Sequence, residues 1–340
     1  MLAWIGLILI GLAPIGALVL LGLLPHGSSH RVSYDRWPSL VHLYLQAAIA
    51  VIRKSGGGQI DVQEAQKEPL IEVAMVQPQP FDKRKLSKFL SLSSYPASMK
   101  GVVPLMYPIC ESFRLNIQAL LLPAFPFSVL RTVLKSISTT MYREVMQDEA
   151  LVYRVQIDPK TFTRTDKGHV EVDIASMASS KKDNTVVWRS TVRAVVLNPK
   201  AAKGGGSAAA PLEHEKLQVI DTWKHKADVG RKYGALNGDL NPIHLHPALS
   251  KMFGFKRPIA HALFQLSCTE ASIRKHGIPI QYPLQMDVDC KRPTLLPATL
   301  HCALDKRSSD ASGGAVRFAV LTEDKAKEVL VGSLFRPGSL

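Results

Sequence analysis

The chain has 340 residues, four cysteines and a formal net charge of +14. Cys110, Cys268, Cys290 and Cys302 are scattered without paired spacing, which argues against a disulfide framework and fits reduced, buried thiols. The charge speaks of partners rather than of fold. With no zinc finger, RNA-binding signature or aromatic-interleaved basic strand, nucleic acid is not among them.

Residues 1–25 carry no charged side chain and are mostly Leu, Ile, Ala and Gly. At about 1.5 Å per residue a helix of that length crosses a bilayer core of about 30 Å, so an N-terminal transmembrane helix is expected. A signal peptide is the alternative reading, but the basic leading segment is missing and the apolar run is long for one. Arg31, Arg36, Arg53 and Lys54 follow the run and no Lys or Arg precedes it. A single-pass, membrane-anchored protein with a cytosolic body is the expectation, the host membrane being unspecified. Within 26–80, Ser39–Lys54 reads as an amphipathic helix (Leu40, Leu43, Leu45, Ala48, Val51) set against the membrane or the body, and 55–80 reads as a linker. Lys83-Arg84-Lys85 with Lys88 is the densest basic patch.

Pro104–Leu122 is a strongly apolar helix candidate. Glu111, Arg114 and Asn116 interrupt it and prolines flank it, which favours a buried helix over a membrane hairpin. β-rich stretches follow at Ser136–Val145, Leu151–Ile157, His169–Ser176 and Thr185–Leu197. Residues 201–211, with three consecutive glycines, read as a flexible linker between an N-terminal unit (81–200) and a C-terminal unit (212–340).

The run Tyr233-Gly-Ala-Leu-Asn-Gly-Asp239-Leu-Asn241-Pro242-Ile-His244-Leu-His246-Pro247 concentrates an acid, imidazoles and a carboxamide. Asp239 and His244 are five residues apart and would diverge on an unbroken helix. Asn241-Pro242 breaks that helix, because the residue before proline is pushed out of the α region, and the two side chains can converge across the bend. A carboxylate and an imidazole sharing one water or hydroxyl can move a proton on and off carbon. A short helix is expected over Pro247–Phe253, stopped at Gly254, and a second over His261–Lys275, stopped at Gly277. The second is apolar on several faces, which marks it as buried. Strands are expected at Leu284–Lys291, Thr299–Leu304, Ala315–Leu321 and Val329–Phe335. A helix followed by strands, twice over, suggests an α+β chain built by internal duplication, each sheet wrapped on its helix.

Tyr-x-x-Leu-x-Gly-Asp-x-Asn-Pro-Ile-His, followed after five residues by Ser250, resembles the hydratase 2 signature of the MaoC-like dehydratases. Gly-Phe-Lys-Arg-Pro-Ile-Ala-His and Lys291-Arg-Pro-Thr-Leu-Leu-Pro-Ala-Thr are similar to that family too, while Tyr107-Pro-Ile and Pro123-Ala-Phe-Pro-Phe resemble the N-terminal half of its double hot-dog members. The resemblance implies a double hot-dog fold, two antiparallel sheets each wrapped on a buried helix. It also implies hydration of trans-2-enoyl thioesters, or dehydration of (3R)-hydroxyacyl thioesters, in fatty acyl metabolism. It places the catalytic pair on Asp239 and His244, with Asn241 and Gly238 supporting. The thioester oxygen would meet a backbone N–H at Ala262, where a helix N-terminus favours a developing negative oxygen, with His261 in the pocket wall. No cofactor is implied. Coenzyme A, acyl carrier protein and an anionic membrane leaflet are acidic partners that a basic surface could attract.

The first half lacks the motif, so one active site per pair of halves is expected, with the first half supplying pocket wall and acyl-chain space. Two fused halves would also replace a homodimer and make a monomer plausible. The sequence departs from the family pattern at Asn237 and Ala262, where small residues and Gly are usual. Those departures keep open a non-catalytic acyl-thioester binder or scaffold, and a thioesterase on the same fold is a further alternative. Asp239 could instead close a turn, and Asp239 with His244 and His246 could be read as metal ligands, although no second shell is evident. The expectation is no metal.

Overall fold

The computed structural model describes residues 26–54, 61–129, 132–198, 216–306 and 315–337. The expected anchor at 1–25 and linker at 201–211 lie outside the described residues. Among the described residues no helix is long and apolar enough to cross a membrane. The first half holds β1 (His26–Gly27), β2 (Arg31–Tyr34), α1 (Leu40–Lys54), α2 (Val62–Ala65), β3 (Ile71–Met75), β4 (Gln79–Pro80), α3 (Lys83–Leu92), α4 (Tyr107–Leu121), β5 (Thr132–Met141), β6 (Ala150–Ile157), β7 (Thr163–Arg164), β8 (Val170–Ser180) and β9 (Val186–Val196). The second holds β10 (Leu217–His225), α5 (Val229–Asn237), α6 (Pro247–Met252), α7 (Ala262–Lys275), β11 (Leu284–Cys290), β12 (Ala298–Asp305), β13 (Val316–Thr322) and β14 (Glu328–Phe335).

Strand alternation explains the layers. Along β8 every second residue is buried, Val170, Val172, Ile174 and Ala178 among them, so one face turns to the core and the other to solvent. The helices answer that face. Every residue of α7 from Leu263 to Ile273 is buried, as are most of α4, and one apolar core runs through both halves. Each fully buried Leu, Ile or Phe contributes about 1.5–3 kcal/mol relative to exposure. Two sheets fused side by side were expected, and the structure joins them edge to edge. β5 pairs antiparallel with β11, Ile137 opposite Val288, in a continuous path β1-β2-β3-β6-β8-β9-β5-β11-β14-β13-β12-β10. β2 and β3 form a parallel pair within it.

The stretch 55–80 is not simply a linker. Ile71, Val73 and Met75 alternate inward and are buried, so β3 completes the first sheet between β2 and β6. The Gln- and Pro-rich composition of this stretch masked a five-residue strand whose pairing is entirely long-range. The basic patch is likewise a helix, α3. Asp82 Oδ1 accepts from the Arg84 and Lys85 N–H groups at 2.9 and 3.1 Å, while Leu86 and Phe89 bury the opposite side.

A buried carboxylate ties the halves together. Glu270 on α7 is fully buried and accepts from the N–H groups of Leu105 and Met106 at 3.0 and 3.1 Å, from Tyr95 Oη at 2.6 Å and from Arg274 Nε at 2.8 Å. The two peptide N–H groups leading into α4 are therefore taken by a carboxylate from the other half.

His225, at the end of β10, stacks on Trp223 and packs against Phe264, with its Nε2 buried and unpartnered. Burial pushes its pKa down from 6.5 to about 4. The imidazole is neutral in the fold and protonated in the unfolded chain between those values, so stability is lost as pH falls through that window. The loss is about 3 kcal/mol between pH 7 and pH 4. Urea unfolding of His225→Phe should show that much less acid sensitivity than wild type. Equal slopes for the two proteins would contradict the assignment.

Candidate active site

The motif turn is set by glycine. Gly230, Gly234 and Gly238 recur every fourth residue along one face of α5 and its end. A Cβ on Gly230 would lie 2.4 Å from the His244 carbonyl oxygen, and one on Gly234 would lie 2.5 Å from that of Asp239. The turn thus lies directly on the helix backbone. Gly238 stops α5 in the left-handed region at φ 87°, its N–H bonded to the Gly234 carbonyl oxygen. Short polar side chains then fix each step. Asn237 Oδ1 accepts from the Asp239 N–H at 2.8 Å, Asp239 Oδ1 from the Asn241 N–H at 3.1 Å, and Asn241 Oδ1 from the Ile243 N–H at 3.3 Å. Pro242 opens the single helical turn that carries His244.

Gly234→Ala should therefore displace the turn while keeping the helix. We expect the catalytic constant to fall by about 10–100-fold, since misplacement by about 1 Å can cost that much. Alanine's better helix propensity, about 1 kcal/mol, offsets part of the stability loss. Steady-state rates beside thermal melts would check this, and undiminished turnover would show that the turn tolerates the shift.

Three side chains meet at the bend. Asp239 Oδ2 lies 3.8 Å from His244 Nε2 and 3.5 Å from His261 Nε2, and the two imidazoles stack with centroids 3.6 Å apart. The Asp239–His244 gap is too long for a direct hydrogen bond and suits one hydroxyl oxygen bonded to both groups. His244 Nδ1 lies 2.8 Å from the Ile259 carbonyl oxygen. A carbonyl only accepts, so Nδ1 carries the hydrogen and Nε2 is the ring nitrogen left to exchange a proton at the bend. Burial, opposed by His244 and the Asn241 N–H, holds the Asp239 carboxyl above the usual carboxylate range. Burial and then the neighbouring His244 hold His261 well below the usual imidazole range. Both shifts disfavour charge in this cluster.

The remaining sequence candidates divide. Ala262 opens α7, no side chain caps that N-terminus, and Ala262 is the half-exposed residue at its mouth. This contrasts with the entrance to α4, which Glu270 fills. Asn241 reaches Asp239 through its backbone N–H, while its carboxamide oxygen caps the following turn. His246 is exposed and its Nδ1 accepts from the Ala248 N–H at the start of α6, outside the cluster. Asp239, His244 and His261 offer ligand atoms within 4.8 Å of one another.

Residues outside the motif complete the site. From the first half, Tyr44 on α1 hydrogen-bonds to the Gly238 carbonyl, Arg114 on α4 lies near Gly238, and Phe89 on α3 packs against Tyr233. Nothing local in the sequence marked Tyr44. The four-residue recurrence of glycine was visible there and could have identified the packing face of α5.

A family profile described as MaoC like domain matches residues 208–304, which contain the whole cluster. A curated relative, 3-hydroxyacyl-thioester dehydratase X of Mycobacterium tuberculosis, is 28% identical over 203 residues, 58% of this chain and 68% of that protein. The crystal structure of HtdX of Mycobacterium tuberculosis superposes with a TM-score of 0.63 at 22% identity, covering 79% of this chain and 99% of that one. A second protein of that organism, described as a double hot-dog fold, superposes with a TM-score of 0.52 at 9% identity, covering 80% and 96% of the two chains. The two sheet-on-helix halves are accordingly a double hot-dog fold, and residues 208–304, which hold Asp239, His244 and His261, match the MaoC-like domain.

Proposed function

We propose that this chain is a (3R)-hydroxyacyl-thioester dehydratase, or trans-2-enoyl-thioester hydratase in the reverse direction, working by acid–base catalysis in fatty acyl metabolism. It is a hydro-lyase. The observation that carries the reading is the pairing of Asp239 Oδ2 with His244 Nε2 across a hydroxyl-sized gap. In hydration the thioester oxygen sits at the uncapped N-terminus of α7, where the Ala262 N–H polarises it. His244 Nε2 draws a proton from the attacking water as its oxygen bonds to C3, and Asp239 serves the proton that reaches C2. Dehydration runs the same transfers backward. His261, held neutral, packs against His244 and keeps a second charge out of the site. Gly238 and Asn241 support the pair by fixing the turn.

The substrate is an acyl thioester of coenzyme A or acyl carrier protein, whose acidic carrier suits the chain's net charge of +14. The first half supplies pocket wall and acyl-chain space, and the fused halves act as a monomer. The uncharged run at 1–25 anchors the protein in a membrane with its body in the cytosol. The outward face of α1 supports this placement, since Val41 and Ile49 are exposed there.

The test is full-length protein mixed with crotonyl- and longer enoyl-coenzyme A, following the loss of enoyl-thioester absorbance and the appearance of free thiol. Hydration without thiol release supports the reading. Thiol release would make the chain a thioesterase, and binding without turnover of any of these thioesters would make it a binder.

A further inference from the structure

α1 belongs to the N-terminal segment, nearly 200 residues before the motif, yet it ends on the catalytic turn. Tyr44 Oη donates to the Gly238 carbonyl oxygen at 2.9 Å and accepts from the Leu240 N–H at 2.5 Å. Those two groups belong to the residues on either side of Asp239, so one hydroxyl clamps the backbone that carries the carboxylate. Tyr44 is half-buried, and burial, then the nearby Asp239, pushes its phenol pKa up, which keeps it a neutral donor and acceptor. The clamp is braced from behind. Leu43 and Ala50 bury α1 against Leu121 of α4, and Arg114 Nη1 donates to the Pro38 carbonyl oxygen ahead of the helix. No other side-chain hydrogen bond described for the Gly238–Leu240 turn comes from the first half.

We infer that Tyr44 is a positioning residue for catalysis: its hydroxyl sets the backbone on both sides of Asp239, so that the N-terminal helix controls the geometry of a site in the other half. The inference rests on the hydratase reading above. Without the hydroxyl the Leu240 N–H and Gly238 carbonyl lose their shared partner, and the carboxylate gains freedom at the moment it must meet the substrate. The thioester itself is held elsewhere, at the mouth of α7, so binding is affected less than turnover.

The test compares wild type, Tyr44→Phe and Leu321→Ala in the full chain, measuring kcat, KM, melting temperature and amide hydrogen exchange at Leu240. Tyr44→Phe should lower kcat by about 10–100-fold while leaving KM within about twofold, and should speed Leu240 exchange by at least about tenfold. Leu321 is buried in a separate apolar cluster that includes neither α1 nor the motif turn, so Leu321→Ala should lower the melting temperature and keep kcat near wild type well below it. A Tyr44→Phe enzyme with kcat within about twofold of wild type, or a Leu321→Ala enzyme equally slowed, would overturn the role of the hydroxyl. If wild type hydrates no enoyl thioester, the functional reading fails instead. Leu240 exchange then still decides whether Tyr44 holds the turn, and unchanged exchange in Tyr44→Phe would overturn that.

Discussion

Asp239→Asn should abolish hydration and leave the protein at least as stable as wild type. The expected loss is about 10³-fold, within the range of about 10²–10⁴ that one general acid–base group supplies. Asparagine keeps the side-chain oxygen that accepts from the Asn241 N–H, so the turn survives. What it loses is the ability to hold or release a proton beside His244. The stability arm follows from the raised pKa of Asp239, which burial causes. An acid with a raised folded pKa burdens the fold once it is ionised, and that burden disappears as pH falls below the unfolded value of 3.8. Asp239→Asn should therefore unfold at the same or higher urea concentration at pH 7, with any advantage vanishing in acid. Lost activity accompanied by lost stability would mean that Asp239 is a structural turn residue.

Glu270→Ala should have the largest effect on stability. Removing this carboxylate strands the Leu105 and Met106 N–H groups, the Tyr95 hydroxyl and a buried guanidinium at once. Breaking a buried, hydrogen-bonded ion pair costs about 3–5 kcal/mol, a large fraction of a typical folding free energy of about 5–15 kcal/mol. Three of these donors, on Tyr95, Leu105 and Met106, belong to the first half and Glu270 to the second, so the loss should appear as uncoupling. Urea denaturation followed by Trp188 and Trp223 fluorescence, one tryptophan from each half, should change from one transition toward two. Glu270→Gln retains one good acceptor and should be milder. A Glu270→Ala protein with an unchanged midpoint would mean that solvent or a rearranged side chain replaces the carboxylate.

Features encoded locally were legible in the sequence, and features created by distant pairing were not. The break at Asn241-Pro242, the helix ending at Lys275 and its all-round apolar surface follow from residues within one or two turns of each other. β3 was missed because Ile71, Val73 and Met75 gain their meaning only between β2 and β6, in a stretch whose composition resembles a linker. β10 and α5 were hidden by scattered charge: Asp221 and Lys224 on the strand, Arg231 and Lys232 on the helix. The joined sheet is a matter of β5 meeting β11, and neither strand announces its neighbour. In the site, the motif placed Asp239 and His244 together, whereas the stacking of His261 on His244 depends on how α7 meets the turn. The Tyr44 clamp depends on a contact between residues nearly 200 positions apart, beyond any local pattern.

The most direct test of the proposed chemistry is the configuration at C3 of the product formed from crotonyl-coenzyme A, measured for wild type, Asp239→Asn and His244→Gln. The proposed activity predicts a (3R)-hydroxyacyl thioester from wild type, and the Asp239–His244 pair predicts none above background from either variant. A (3S) product would contradict the proposed activity, and hydration that survives both substitutions would mean that the reaction does not take place between Asp239 and His244.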